Sequence, residues 1–468
     1  MTRVFAIAGL AVRTLVRSRL LIFLLLLLLL TVAGIPAVVK GDGTLEGKIR
    51  VLIQYTLTLS AILLGTATVW ASCSSLSEEI AGRQIQLLAV KPVPRWQIWL
   101  GKWLGILAMD AFLLGFAGAA VWVFAWWHTR PAAVPQEEAL RVRQQVLVGR
   151  RLVPARAGDA EGEARRRLAA LVREKRLPPE VSPADALPLL IRQVRVEQDT
   201  VTPGQSRQWV FDLPAASGFF SCRPPSGDRA WLRIRFASAG MGREFRSGTW
   251  SLGTASRPDL YSFPMERKLD GVHQFPVPVN ALVRNEPLLV RFANAARETS
   301  DTVVFSHSQG VEILIPEISF GANLARALLI LLGYFALLAA LGLSAGALFS
   351  FPVATFFSVS VIVVALLSHF FIGVYPSAHH GHSHRHSSEP EEPPSLMDRM
   401  GDSLGRQTAR AVAPILEVAP LGLLSDGILV SGDMVRRALL LLAVVYPAMF
   451  GLIGAASLGR RELALPER

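Results

Sequence analysis

The sequence predicts an α-helical polytopic membrane protein of about six transmembrane helices, with an inserted extracytoplasmic α+β domain whose helical part precedes an antiparallel β-sandwich. Three observations carry this expectation. Hydrophobic residues make up 51% of the 468-residue chain, yet Lys and Arg together number 48, so apolar and charged residues must be segregated. Leu20 to Val39 is almost purely apolar, and as a helix it spans about 30 Å, the thickness of a hydrocarbon core. The stretch 128–320 is too long and too charged to be a connecting loop.

Apolar windows of bilayer length place helices near 20–39, 51–71 and 100–127 in an N-terminal membrane half (1–127), and near 322–348, 352–374 and 438–458 in a C-terminal half (321–468). The first window is too long for the apolar region of a cleaved signal peptide and follows Arg3, Arg13, Arg17 and Arg19, so it reads as a retained helix. The short, Gly-containing loop Lys40 to Arg50 makes helices one and two a hairpin. In a six-helix topology the N-terminal arginines, the loop bearing Arg83, Lys91, Arg95 and Lys102, and the tail with Arg460 and Arg461 share one side. By the positive-inside rule that side is the cytoplasm, with both termini in it. Arg436, Arg437, Arg399, Arg406 and Arg410 run against the rule, which weakens for long loops. Within the external segment 375–437, Ala411 to Val430 carries Glu417, Asp426, Pro414 and Pro420, which suit a re-entrant or interfacial hairpin better than a seventh crossing.

In the insert, Gln136 to Arg195 mixes Glu, Arg and Leu and reads as helical, interrupted by Pro178, Pro179 and Pro183. Beyond it, Leu232, Ile234 and Phe236 alternate with Arg233 and Arg235, and Gln208 to Leu213, Leu288 to Phe292 and Val311 to Ile315 have strand character. No repeat of solenoid period is present.

The net charge of +12 and pI near 10.4 would suggest nucleic acid in a soluble protein. In a membrane chain the same charge belongs to cytoplasmic flanks facing anionic headgroups, so lipid is the expected partner and nucleic acid is not. Cys73 and Cys222 fall on opposite sides of the expected topology, so no intramolecular bridge is anticipated. Neither G-x-S-x-G nor H-E-x-x-H occurs, and Ser306-His307 is an isolated pair in a strand-like stretch, so no catalytic residue is assigned. Gly101-Lys102 is followed by Trp103 and lacks the preceding glycine spacing and the Ser or Thr of a phosphate-binding loop.

The loop 75–98 is the most informative segment. Ser77 followed by Glu78 and Glu79 is a helix-start pattern. Ile80, Gln84, Leu87 and Leu88 then share one face, and Pro92 and Pro94 stop the run, as in a short helix parallel to the membrane. The acidic start Glu78-Glu79, Gly82-Arg83, Leu87-Leu88, Lys91-Pro92-Val93 and Arg95, with Gly101-Lys102 entering the next helix, resemble the coupling loop of ABC-2 type ABC transporter permeases. Arg17-Ser18-Arg19 before the first helix, a polar external segment before the sixth, and the Arg460-Arg461-Glu462-Leu463 end agree with that resemblance. It covers roughly 1–127 and 322–464 and leaves the insert outside.

The resemblance implies a permease subunit of an ATP-binding cassette transporter, exporting in direction, in a homodimer or a heterodimer with a second permease in a bacterial inner membrane. It implies that the loop docks on a separate ABC ATPase subunit, which holds the ATP and magnesium, leaving this chain without a cofactor. Glu79 and Arg83 show no evident intramembrane partner, so reversing their charge is expected to weaken docking and spare insertion. The competing reading is a membrane-anchored ligand-binding or sensory protein that uses the external domain.

Two further groups stand out. His379, His380, His382, His384 and His386 precede Glu389, Glu391 and Glu392; imidazoles at this density are candidate metal ligands, while the surrounding Pro and Ser suit a flexible linker. Asp110 lies about a third of the way into helix three, where an ionisable side chain must face protein or water: it either lines a substrate path or pairs with a neighbouring helix. Gly342 and Gly346 have small-xxx-small spacing for close helix contact, and Trp126, Trp127 and Tyr375 are expected interface anchors.

Overall fold

The computed structural model describes residues 2–17, 19–38, 44–82, 94–130, 135–156, 158–177, 182–212, 229–238, 245–254, 256–257, 259–268, 272–278, 286–295, 302–305, 310–374 and 419–460. In chain order the elements are α1 (Thr2–Arg17), α2 (Arg19–Val38), α3 (Leu45–Ala81), α4 (Arg95–His128) and α5 (Gln136–Gln145), then β1 (Val148–Pro154), α6 (Ala160–Arg173) and α7 (Pro183–Asp199). The strands β2 (Thr200–Val201), β3 (Ser206–Phe211), β4 (Arg229–Ser238), β5 (Phe245–Thr254), β6 (Tyr261–Lys268), β7 (Val272–Pro278), β8 (Leu288–Asn294), β9 (Val303–Phe305) and β10 (Val311–Ser319) follow. The chain ends with α8 (Phe320–Leu348), α9 (Phe351–Val374), α10 (Pro420–Ser425), α11 (Gly432–Leu439), a π-helical turn (Leu440–Val445) and α12 (Tyr446–Arg460). These form two compact units: Met1–Leu147 with Phe320–Arg468, and Val148–Ser319.

Among the described residues, four helices of the first unit are long and apolar enough to cross a membrane: Leu45–Ala81, Arg95–His128, Phe320–Leu348 and Gly432–Gly459. The chain thus has the build of a membrane protein with an additional β-rich domain. Helices α2 and α9 occupy the windows expected at 20–39 and 352–374, with shorter apolar stretches, Phe23–Val32 and Phe351–Leu367, among their described residues.

Helix α3 is far longer than the expected 51–71. Thr44 caps its start by accepting from the Gly47 N–H at 3.0 Å, Arg50 pairs with Glu46 one turn away at 2.8 Å, and the Gly82 N–H closes the far end on Glu78 O at 2.7 Å. At 37 residues it is about 55 Å long, so its polar ends extend beyond a hydrocarbon core of about 30 Å. Its main partner is α8, and Gly342 and Gly346 explain the fit. A Cβ on Gly342 would lie 1.9 Å from Ser72 Oγ, and one on Gly346 would lie 2.7 Å from Cys73 O. The small-xxx-small spacing therefore marks a backbone-to-helix contact.

At the end of the unit away from Ala81, Asn323 is fully buried and clamps the chain after α10, donating to Ile428 O and accepting from the Val430 N–H, each at 2.8 Å. Gly427 turns there at φ +65°, where a Cβ would also meet Gln145 O at 2.2 Å. A short helix and a pinned turn thus occupy 420–430, the end of the expected re-entrant segment; 411–418 lie outside the described residues.

The second unit begins at Val148 and not at residue 128. Val142 and Val146, at and just beyond α5, are buried with Ile49, Ile53, Phe320 and Leu424 in the helical unit, which removes α5 from the insert. The helical reading of 136–195, interrupted at Pro178, Pro179 and Pro183, is also corrected. Val148–Pro154 is a strand because β10 offers it an antiparallel edge, from Val148↔Ser319 to Pro154↔Glu312, with an irregularity at Gly149/Arg150. Pro183 does not break a helix but opens α7, whose Ser182 cap accepts from the Asp185 N–H; Pro178 and Pro179 lie outside the described residues.

Two antiparallel sheets follow. One has the order β1-β10-β4-β9-β2, with β7 also paired to β4, and the other β3-β8-β5-β6. Leu232, Ile234 and Phe236 from the first sheet and Trp209, Trp250 and Phe292 from the second are buried in one shared core, while Arg235 between them on β4 is exposed. On the other face of β4, Arg233 faces Glu312 of β10 at 3.7 Å. Burial pushes the Glu312 carboxyl above its ordinary range, against the downward pull of Arg233 and Arg235.

Three outcomes are expected. Gly346→Val should lower the unfolding temperature in detergent, at a loss of about 1–3 kcal/mol for overpacking, whereas Gly115→Ala, where a Cβ would meet nothing within 4 Å, should leave it nearly unchanged. Because Val148 and Ser319 are paired neighbours, residues 148–319 should fold as a soluble fragment with one cooperative transition. A carboxyl whose folded pKa is raised contributes stability below its unfolded value that is lost as pH rises through the folded one. Glu312→Gln should therefore reduce the fragment's loss of stability between weakly acidic and neutral pH, measured by urea unfolding at a series of pH values.

Candidate functional site

Helix α1 and the first turns of α4, which carry Arg3, Arg13, Arg17, Arg95 and Lys102, meet in the helical unit. Helix α1, which flanks the first apolar window, packs along the first turns of α4. Val4 and Ile7 are buried against it, and its other side exposes Phe5, Leu10, Arg13, Val16 and Arg17. Contact is close because α4 supplies glycines. A Cβ at Gly101 would fall 2.7 Å from Ile7 Cβ, and one at Gly105 would fall 2.7 Å from Ala11 Cβ.

Beside Gly101, Lys102 points into the seam between α4 and the last turns of α3 and is only 4% exposed. Its ammonium has three protons and meets three acceptors: Glu79 Oε1 at 2.5 Å, Ser75 O at 2.9 Å and Ser75 Oγ at 3.1 Å. Ser75 and Glu79 lie one turn apart on α3, so a single face of that helix grips the cation. Such a charge is tolerable in a buried seam only because it is fully coordinated. Next to it opens a cleft of about 360 Å³, lined on its polar side by Thr14, Ser74, Ser75, Glu78, Glu79 and Lys102.

On the other side of the loop, Arg95 begins α4 and donates from Nη1 to Leu458 O, near the end of α12. Trp99, one turn on, stacks on Trp103 at 6.2 Å and fills the space left by Gly451 and Gly454 of α12. Helices α1, α3, α4 and α12 are thereby fastened together around the ends of the 83–93 loop.

These contacts revise the expected coupling segment. Ser77, Glu78 and Glu79 do not open a new helix; they continue α3, and the Ser77 hydroxyl donates back to Cys73 O at 2.6 Å. Gly82 is the C-cap of α3. Glu79 has a partner inside the helical unit, contrary to expectation, whereas Glu78 is exposed. Arg83, Leu87, Leu88, Lys91 and Pro92 lie outside the described residues, as do His379, His380, His382, His384 and His386. Among the described residues no group of His, Cys, Asp and Glu has the arrangement of a metal site. Asp110 does meet another helix: Thr68 Oγ1 of α3 is 2.9 Å from its Oδ1.

Sequence reasoning missed α1 as a packed element and Lys102 as a buried cation. Signals for both were present. Val4, Ile7, Ala8, Ala11 and Leu15 recur at helical spacing, and Ser75 and Glu79 stand one turn apart. Neither pattern names its partner, because the pairing of α3 with α4 is a tertiary fact. No protein family, curated protein or solved structure matches the chain.

The cross-tie makes a directional expectation. Glu79→Lys places two cations in the seam and should cost roughly 3 kcal/mol, lowering the unfolding temperature in detergent. Lys102→Met, which removes the charge and keeps the stem's volume, should be tolerated better than Glu79→Lys. Equal tolerance of both would show that the pair contributes little.

Proposed function

We propose that the chain is the membrane-spanning permease subunit of an ATP-binding cassette transporter, working as an exporter and powered by a separate ATPase subunit beneath the 83–93 loop. The observation that carries this reading is the fastening of both ends of that loop. Lys102, Glu79 and Ser75 lock its α3 side, and Arg95 ties its α4 side to α12. A force applied to such a loop moves helices, whereas a loop on loose ends would only bend. The resemblance of Glu78-Glu79, Gly82-Arg83, Leu87-Leu88 and Lys91-Pro92 to an ABC-2 coupling loop points the same way.

In this reading α2 and α9 join the four long apolar helices to give six crossings, both termini are cytoplasmic, and residues 148–319 lie outside the cell membrane. Two permease chains, identical or related, enclose the pathway. Glu78 and Arg83 become the residues offered to the ATPase, and Glu79 serves the joint behind them. The same layout would suit a membrane-anchored sensor, and the partner decides between the two.

Co-purification from cells expressing the chain with its genomic neighbours is the test. A nucleotide-binding subunit should be retained by the wild type and released by the double reversal Glu78→Lys/Arg83→Glu, with membrane insertion unchanged. Loss of one paired charge at a buried interface costs about 2–5 kcal/mol, enough to weaken association more than tenfold. Retained association in the double variant, or capture of a kinase in place of an ATPase, would overturn the proposal.

A further inference from the structure

Eight residues beyond Lys102, on the same side of α4, Asp110 is 5% exposed inside the helical unit. Its Oδ1 lies 2.9 Å from Thr68 Oγ1, and its Oδ2 is buried with no partner among the described residues. The Thr68 hydroxyl is also 2.8 Å from Leu64 O. With one proton it can serve the carbonyl or the carboxyl, but not both. A proton on Asp110 resolves the conflict, since the acid then supplies the missing hydrogen and Thr68 can donate to Leu64 O.

Asp110 borders a cavity of about 30 Å³, room for a water molecule, which needs about 10–15 Å³. Leu15, Ala71 and Ile106 line both this cavity and the larger cleft that opens among Thr14, Ser74, Glu78 and Lys102. One layer of side chains therefore separates the acid from a polar vestibule. Toward the other end of α4, Leu113, Leu114 and Ala117 are buried and apolar. We propose that Asp110 is a proton-binding site, reached by water from the α1 end of the helical unit and closed toward the opposite end. In the binding step a hydronium ion gives its proton to the Asp110 carboxylate and leaves as water; the proton rests on Oδ1, which donates to Thr68 Oγ1, and no other bond changes.

The surroundings select a proton over a metal ion. Among the described residues, Asp110 and Thr68 are the only ones lining the cavity with side-chain oxygens, whereas hard cations take about six to eight oxygen ligands. The charged groups facing the approach are Lys102 of α4 and Glu78 and Glu79 of α3. Helix α1 adds Thr14 and Leu15, α2 adds Leu24, and on α8 Tyr334 packs against the cluster of Leu64, Met109 and Leu113. The site needs only the folded helical unit and does not rest on the permease reading.

The test uses the full chain in liposomes, with Cys73 and Cys222 replaced by serine. Infrared difference spectra across a pH change should contain a protonated-carboxyl band that is lost in Asp110→Asn and shifted in Thr68→Val. An impermeant thiol reagent should label Ser74→Cys and Ala71→Cys and leave Leu113→Cys unlabelled. Should Asp110→Asn fail to fold, Asp110→Glu should move the band instead of removing it. A spectrum in which no titrating band responds to Asp110 or Thr68, or an Ala71→Cys as unreactive as Leu113→Cys, would overturn the proposal.

Discussion

The buried ammonium of Lys102 sets the arrangement of the helical unit. Three donors in an apolar seam must all find acceptors, and only one register of α4 against α3 provides Ser75 and Glu79 together. That register also brings Asp110 to Thr68, because the same two antiparallel helices carry both contacts. Gly101 and Gly105, flanking Lys102 on α4, let α1 lie close beside the seam. Loop attachment, cleft and buried acid thus follow from one cation and the small residues around it.

Hydrophobic segregation made the membrane helices legible. The window at 322–348 appears as Phe320–Leu348, and the glycine pair within it marks a true helix contact. Strands with clean alternation were equally plain: Leu232, Ile234 and Phe236 line the sandwich core. Helix ends were less legible. Ser77-Glu78-Glu79 has the composition of a helix start, but a helix already under way absorbs it when the Ser hydroxyl can donate to the preceding turn. β1 was hidden for another reason: Val148–Pro154 carries Gly, two Arg and Pro, and becomes a strand only through its pairing with β10, 160 or so residues later in the chain.

The candidate site was legible as a location more than as chemistry. Glu79, Gly101, Lys102 and Asp110 all drew attention in the sequence, and all take part in interhelical contacts. What the sequence could not supply was their partners. Glu79 looked like a surface charge because Lys102 is 23 residues away across a loop. Asp110 looked like a solitary acid because Thr68 is 42 residues away. Local pattern identifies side chains with unusual requirements; tertiary pairing shows how each requirement is met.

The π-helical turn Leu440–Val445 has a consequence for the last helix. Before it, Val435 and Ala438 are buried at the end of the unit where Asn323 holds the chain; within it, Leu442 packs on Gly333 of α8. After it, Gly451 and Gly454 meet Trp99 of α4. An α-helix advances about 100° per residue, so the one extra residue in a wide turn swings everything downstream to a new azimuth. One continuous rod, with Pro447 just past the wide turn, can therefore present matching faces to two different neighbours. The geometry of the unit is tuned by residue count as well as by residue type.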